Sequence, residues 1–79
     1  MGRHEADSLE ARYANYIEVG HNASEFLIDF GQCYQPGAEA RVHTRIVTNP
    51  VYAKRILETL RLSLDQYEQT WGPIQDKEK

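Results

Sequence analysis

The chain has 79 residues, a formal net charge of −3 from nine basic and twelve acidic side chains, and a single cysteine, Cys33. So short a chain is marginally stable with one core, and one cysteine cannot form an internal disulfide, so we expect a homo-oligomer. The acidic balance argues against a nucleic-acid or anionic-membrane surface as the main role, and no apolar run is long enough to cross a membrane. We therefore expect a cytoplasmic protein.

Two β-favouring segments follow a polar N-terminal arm, residues 1–10, which we expect to be flexible. Residues 11–19 are rich in tyrosine and β-branched side chains, and residues 20–23 supply turn chemistry. In residues 24–32, Phe26, Ile28 and Phe30 recur at every second position and so share one face. This pattern predicts a β-hairpin.

The register of the hairpin follows from its apolar residues. Pairing Val19 with Ser24 gathers the apolar side chains of both strands on one face. The same pairing sets Glu18 opposite Glu25, and two like charges in that position cost stability. A bulge or a different register would relieve that cost, so both alternatives stay open.

A third strand follows a connection that contains Pro36-Gly37, a pair typical of a type II turn. Residues 40–48 alternate in character, which predicts a strand. One face of that strand carries Val42, Thr44 and Ile46, and the other carries Arg41, His43, Arg45 and Val47. Together the three segments predict an antiparallel three-stranded sheet whose strand order the sequence leaves open.

Residues 49–71 predict one long helix. Asn49 is a strong N-cap, Pro50 suits the first helical position, and Gly72-Pro73 suits the end. Apolar side chains recur at spacings of four and three and form an apolar stripe, which Ile56 widens. The residues of the apolar stripe are Ala53, Leu57, Leu60, Leu64, Tyr67 and Trp71.

The predicted fold class is therefore α+β, with the helix packed by its apolar stripe on one face of the sheet. Residues 11–74 form the predicted single domain, and residues 75–79 form a charged tail. Val51 and Leu62 lie on the far side of the helix, as surface residues or as contacts with another chain.

Two stretches of the sequence resemble a known family. YANYIEVGHNASEFLIDFGQ, which begins at Tyr13, and VHTRIVTNPVYAKRILETLRLSLDQYEQTWGPI, which ends at Ile74, are similar to the two halves of domain-of-unknown-function family 3467. That family comprises short bacterial and archaeal proteins. The resemblance implies one compact module that is usually a whole small protein, and it implies no catalytic residues. Asn49 stands where family members often have serine, and either residue can cap a helix.

The first functional hypothesis is a protein- or peptide-interaction module, with a holdase-like activity included in that class by analogy of fold. Tyr16 opposite Leu27 makes the second face of the hairpin partly apolar, and an exposed sheet edge could also accept a strand. The candidate contact residues are Tyr16, Leu27, Val47, Val51 and Leu62.

The second hypothesis is a nucleic-acid or anion site at Arg41, His43 and Arg45, which we call the basic row. Alternate residues of a strand share a face, so all three could meet a phosphate or carboxylate. Ion pairs with Glu18, Glu25 or Asp29, or simple solvation, would explain the same residues.

A third hypothesis is a small-ligand or catalytic site at a subunit junction. The sequence has no phosphate loop, nucleophile motif or metal-ligand spacing, so we predict no enzyme, cofactor or metal. His21 is expected in the hairpin turn. Cys33 is expected to be packed or unused, because no neighbour is present to activate its thiol.

Overall fold

The computed structural model of the protein describes residues 8–76. Its elements in chain order are β1 (Tyr16–His21), β2 (Phe26–Gln32), β3 (Arg41–Thr48) and α1 (Pro50–Trp71). The strands form one antiparallel sheet in the order β1-β2-β3, so each strand neighbours the next along the chain. The predicted α+β class and the succession of three strands and one helix are confirmed. Residues 1–7 of the predicted arm and 77–79 of the predicted tail lie outside the described residues.

The described chain divides into two compact units. The sheet unit holds residues 8–20 and 27–47, and the helix unit holds residues 21–26 and 48–76. The packing of the helix on a sheet face and the single domain over residues 11–74 stay predictions.

The hairpin turn lies later in the chain than the sequence predicts. The Asn22 Oδ1 accepts hydrogen bonds from the N–H groups of Ser24 (2.8 Å) and Glu25 (2.9 Å), and the Asn22 N–H donates to the Glu25 carbonyl at 3.0 Å. This Asx turn closes the hairpin at residues 22–25 and leaves His21 as the last residue of β1. The predicted pairing of Val19 with Ser24 is therefore wrong.

The register set by this turn places a different carboxylate opposite Glu18. Counting back from the turn, Asp29 of β2 takes that position instead of Glu25. Each carboxylate has its own donor: the Tyr16 hydroxyl donates to Glu18 Oε1 at 2.9 Å, and Arg45 donates to Asp29. Local donors thus offset a like-charge contact that the sequence analysis had placed at Glu25, four residues earlier in the chain.

β1 begins at Tyr16 instead of residue 11 because Asn15 ends the strand ladder. The Asn15 N–H donates to the Gly31 carbonyl at 3.1 Å. Its side-chain amide accepts from the Cys33 N–H at 2.8 Å and donates to the Cys33 carbonyl at 3.1 Å. The side chain therefore pairs with the backbone of Cys33 as another strand would.

Gly31 marks a close approach of β2 to β3, and it is the one buried residue of the described chain. A Cβ atom at this position would lie 2.5 Å from the Arg41 carbonyl oxygen and 2.9 Å from the Val42 Cα. Only a residue without a side chain fits between these backbone atoms.

The connection from β2 to β3 contains the predicted type II turn. The Ala38 N–H donates to the Gln35 carbonyl at 3.0 Å, and Gly37 has a φ of 81° at the position that requires a positive value. The Cys33 thiol lies over this turn, 3.1 Å from the Gln35 carbonyl oxygen and 3.3 Å from that of Ala38.

Both ends of α1 match the prediction. The Asn49 Oδ1 accepts from the Tyr52 N–H at 2.9 Å, and Pro50 opens the helix. At the other end, Gly72 has a φ of 97°, and its N–H donates to the Glu68 carbonyl at 2.9 Å. The Glu68 carboxylate accepts from the Ile74 N–H at 2.9 Å, which fixes the chain after the helix.

Candidate interaction surfaces

Exposed apolar side chains form one surface on the helix unit and another on the sheet unit. No apolar side chain of residues 8–76 is buried. On the helix, the apolar stripe is open: Leu57, Leu60 and Trp71 are 64%, 56% and 73% exposed. A helix of this kind obtains most of its stability from packing its apolar face, so the apolar stripe needs a partner surface.

The second surface, which we call the apolar sheet face, lies on one side of the sheet unit. Arg45 contacts Asp29 on the other side, and alternation along β3 therefore turns Val42 and Ile46 to this side. Both are exposed. A shallow depression lined in part by Ile17, Phe30 and Thr44 shows that the three strands share this surface. The residues of the apolar sheet face are Ile17, Val19, Ile28, Phe30, Val42 and Ile46.

The opposite side of the sheet unit is polar where Arg45 lies. Its guanidinium binds both carboxylate oxygens of Asp29, from Nε to Oδ1 at 2.7 Å and from Nη2 to Oδ2 at 2.9 Å. This bidentate pair holds the pKa of Asp29 below its ordinary value and raises that of Arg45. The Asp29 side chain is 13% exposed, so the paired guanidinium cannot meet a phosphate without uncovering a carboxylate.

His43 of the basic row is held by hydrogen bonds to its own chain. Its Nε2 lies 3.0 Å from the Tyr13 carbonyl oxygen, and its Nδ1 lies 2.7 Å from the Thr44 hydroxyl. Because a carbonyl only accepts, we assign the proton to Nε2, and the Thr44 hydroxyl then donates to Nδ1. The ring thus ties β3 to the segment before β1.

Arg41 is the third member of the basic row. Within residues 8–76 it has no ion pair or side-chain hydrogen bond. It lines an open polar depression with Glu10, Tyr34 and His43. The basic row therefore offers one unengaged guanidinium rather than three convergent donors.

The structure separates the five predicted contact residues. Tyr16 and Leu27 are half-buried on the sheet, and counting back from the hairpin turn sets Leu27 opposite Gly20 instead of Tyr16. A hydrogen bond to Glu18 raises the pKa of Tyr16 and engages its hydroxyl. Val47, Val51 and Leu62 are exposed and are the members open to a partner. Their role as contacts stays a prediction.

His21 and Cys33 have local partners. The His21 ring stacks on Phe26 with ring centroids 5.2 Å apart and planes inclined by 22°. His21 is thus a strand residue at the hairpin end, and its expected place within the turn is wrong.

No group of three His, Cys, Asp or Glu side chains in residues 8–76 is arranged to hold a metal ion. In the same part of the chain, the helix is too polar to span a membrane.

Two structural residues escaped the sequence analysis. The pairing of Asn15 with Cys33 joins positions 18 residues apart, and no local pattern indicates it. Gly31 did carry a signal, because an isolated glycine within a strand often marks a close approach of two backbones.

Comparison with protein families supports the resemblance noted in the sequence. The model of a family described as "Protein of unknown function (DUF3467)" matches residues 3–76. The chain belongs to this family. The match extends the two similar stretches through the connection between them and into the N-terminal segment. No curated protein and no solved structure resembles the chain significantly. Membership in DUF3467 therefore identifies the module and assigns it no activity.

Proposed function

We propose that this protein is a homo-oligomeric interaction module that binds other proteins or peptides in the bacterial cytoplasm and has no catalytic activity. The observation that carries the proposal is that no apolar side chain of the described residues is buried and that the apolar stripe, apart from the half-buried Ala53, is exposed. Without a buried apolar core, the conformational entropy lost on folding is not offset within one copy.

A second copy is the first candidate partner because identical chains are made together, and each can cover the apolar surface of the other. Apolar patches of this extent on a soluble chain mark an interaction site. The lone cysteine suits a reducing compartment. A partner polypeptide would then contact the exposed Val47, Val51 and Leu62, or the apolar sheet face.

Light scattering on the purified chain between about 1 and 100 µM tests self-association. We expect a mass of at least two chains, since oligomerisation commonly stabilises domains of this size. Leu60→Glu sets a charge in the apolar stripe and should lower the mass or unfold the chain. Gln66→Glu adds the same charge to an exposed position outside the stripe and should do neither. A cooperatively folding monomer would overturn the proposal.

Aggregation of a chemically unfolded protein, followed by turbidity, tests binding to polypeptides. We expect equimolar protein to suppress the aggregation, as apolar surfaces that bind chains do. Leu62→Asp and Val47→Asp should weaken the suppression and leave the oligomer mass unchanged. If the wild-type protein does not suppress the aggregation, the peptide-binding part of the proposal is wrong.

The basic row carries no second function here. Arg45 is bound by Asp29, His43 is bound by Tyr13 and Thr44, and the net charge is −3. Nucleic-acid binding that falls steeply with salt, and that Arg41→Ala reduces, would nevertheless revive that alternative.

A further inference from the structure

We propose that α1 pairs with α1 of a second copy in an antiparallel two-helix coiled coil. This inference rests on the proposed self-association and specifies its geometry. It starts from the spacing of the apolar stripe, which repeats every 3.5 residues on average from Ala53 to Trp71 of α1. That period is the signature of a helix that packs on another helix, since a globular face is usually wider.

The stripe fits the a and d positions of a heptad repeat. Leu57, Leu64 and Trp71 occupy the a positions, and Ala53, Leu60 and Tyr67 occupy the d positions. In an antiparallel pair, a residues of one helix face d residues of the other. In one alignment, every a residue of the stripe faces a d residue of the partner helix. The two-fold axis of that alignment passes beside residue 62.

The sizes of the facing side chains complement one another in this alignment. Ala53 faces the partner's Trp71, Leu57 faces the partner's Tyr67, and Leu60 faces the partner's Leu64. Large side chains opposite small ones keep the spacing between the helices even. A parallel pair would set Trp71 against the partner's Trp71 at one end and Ala53 against the partner's Ala53 at the other, which crowds one end and leaves a void at the other.

Charge also favours the antiparallel direction. The e positions, which flank the stripe, carry Lys54, Arg61 and Glu68. Antiparallel helices bring e positions together, so Lys54 lies near the partner's Glu68 at both ends of the pair. Arg61 then lies near the partner's Arg61 at the two-fold axis, a single exposed like-charge contact against two opposite-charge contacts.

A parallel pair offers no such attraction. Parallel helices bring e positions against g positions, and the g positions carry the uncharged Ile56, Ser63 and Thr70. The antiparallel arrangement is isologous, so the same stripe serves both copies and the assembly closes as a dimer. It leaves the apolar sheet face of each copy available to a polypeptide.

Spin labels at two e positions test the direction of the helices. Lys54→Cys and Arg61→Cys are made separately in a Cys33→Ser background, and label-to-label distances are measured in the dimer. In the antiparallel pair, residue 61 lies about 3 Å along the axis from its symmetry mate, whereas residue 54 lies about 24 Å from its own, at 1.5 Å per residue. We therefore expect strong dipolar broadening at position 61 and a much longer distance at position 54.

The outcomes separate this inference from the proposed function. Equal distances at positions 54 and 61 in a stable dimer indicate parallel helices, and long distances at both indicate an interface elsewhere. Either result overturns the antiparallel pair and leaves the proposed self-association standing. A monomer at labelling concentration overturns both.

A matched charge reversal supplies an independent measurement. Lys54→Glu sets two like charges at each end of the antiparallel pair, and we expect the dissociation constant to rise on the order of ten-fold at low salt. Arg55→Glu makes the same change of net charge one residue away, at an f position that faces solvent and lies 5.8 Å from the Tyr52 ring. It should leave the dissociation constant within about two-fold. Equal effects of the two variants would contradict the antiparallel pairing.

Discussion

At the scale of single residues, the sheet depends on contacts that only one side chain can make. Gly31 lets the backbones of β2 and β3 approach, and the paired amide of Asn15 holds the backbone of Cys33. Arg45 and Tyr16 neutralise or bind carboxylates that the hairpin places side by side. The carboxylates of Glu18 and Asp29 on the polar side of the sheet thus each have a hydrogen-bond donor.

Gly31→Ala should destabilise the protein by about 1–3 kcal/mol or more, because the new Cβ would overlap backbone atoms that cannot move aside. The free energy of unfolding in urea, measured at one protein concentration, checks this. Gly20→Ala is the control, since a Cβ there meets nothing within 4 Å, and its effect should stay within about 1 kcal/mol. Equal losses in the two variants would contradict the close approach.

Asp29→Asn should reduce the loss of stability in acid. Bonding to Arg45 lowers the folded-state pKa of Asp29 below its unfolded value, so the pair stabilises the fold above the unfolded value. That contribution disappears as the pH falls through the folded-state pKa. The variant lacks the stabilisation from this pair already at neutral pH, so acid does not remove it.

Melting temperatures from pH 7 down to pH 2 check this prediction. The gap between wild type and Asp29→Asn should be largest near neutrality and should close in acid. Asp65→Asn, on exposed α1, controls for the lost negative charge and should show no such closing gap. A gap that is constant with pH would mean that the ion pair contributes nothing to stability.

At the scale of elements, α1 is bounded by interactions within a few residues of its own sequence. Asn49 caps its first turn and Gly72 ends its last. Every residue between them except the half-buried Ala53 is exposed, so the boundaries of the helix do not depend on packing. They are set by local hydrogen bonds and backbone geometry.

Asn49→Ala should cost about 1 kcal/mol, because the Tyr52 N–H loses its acceptor. Circular dichroism at 222 nm during thermal unfolding checks this, and the midpoint should fall by several degrees. Asn49→Ser keeps an acceptor oxygen at the same position and should behave like the wild type. If serine and alanine were equally destabilising, the side-chain cap would not be the cause.

At the scale of the whole molecule, stability and assembly should be one property. Two copies that fold by covering each other's apolar stripe unfold at a temperature that depends on protein concentration. We expect the midpoint to rise by several degrees when the concentration rises about 100-fold. Calorimetry at both concentrations checks this, and a midpoint that is independent of concentration would indicate that each copy is stable alone.

The sequence by itself determined the class of the fold, the order of its elements, the type II turn at Gly37 and both ends of α1. Each of these depends on residues only a few positions apart, and local chemistry such as a cap, a fixed φ or an alternating pattern acts at that range. The register of the hairpin was missed because Asn22 and Gly20 compete as turn residues, and the choice between them depends on how the strands pair.

The tertiary structure decided which side chains have partners. It joined Asn15 to Cys33, Arg45 to Asp29 and His43 to the carbonyl of Tyr13, and so gave two of the three residues of the basic row partners within the chain. It also showed that most side chains of the apolar stripe, and Val42 and Ile46 of the apolar sheet face, are exposed. A stripe in the sequence indicates that a helix must be covered, but which surface covers it depends on contacts between distant parts of a chain or between chains.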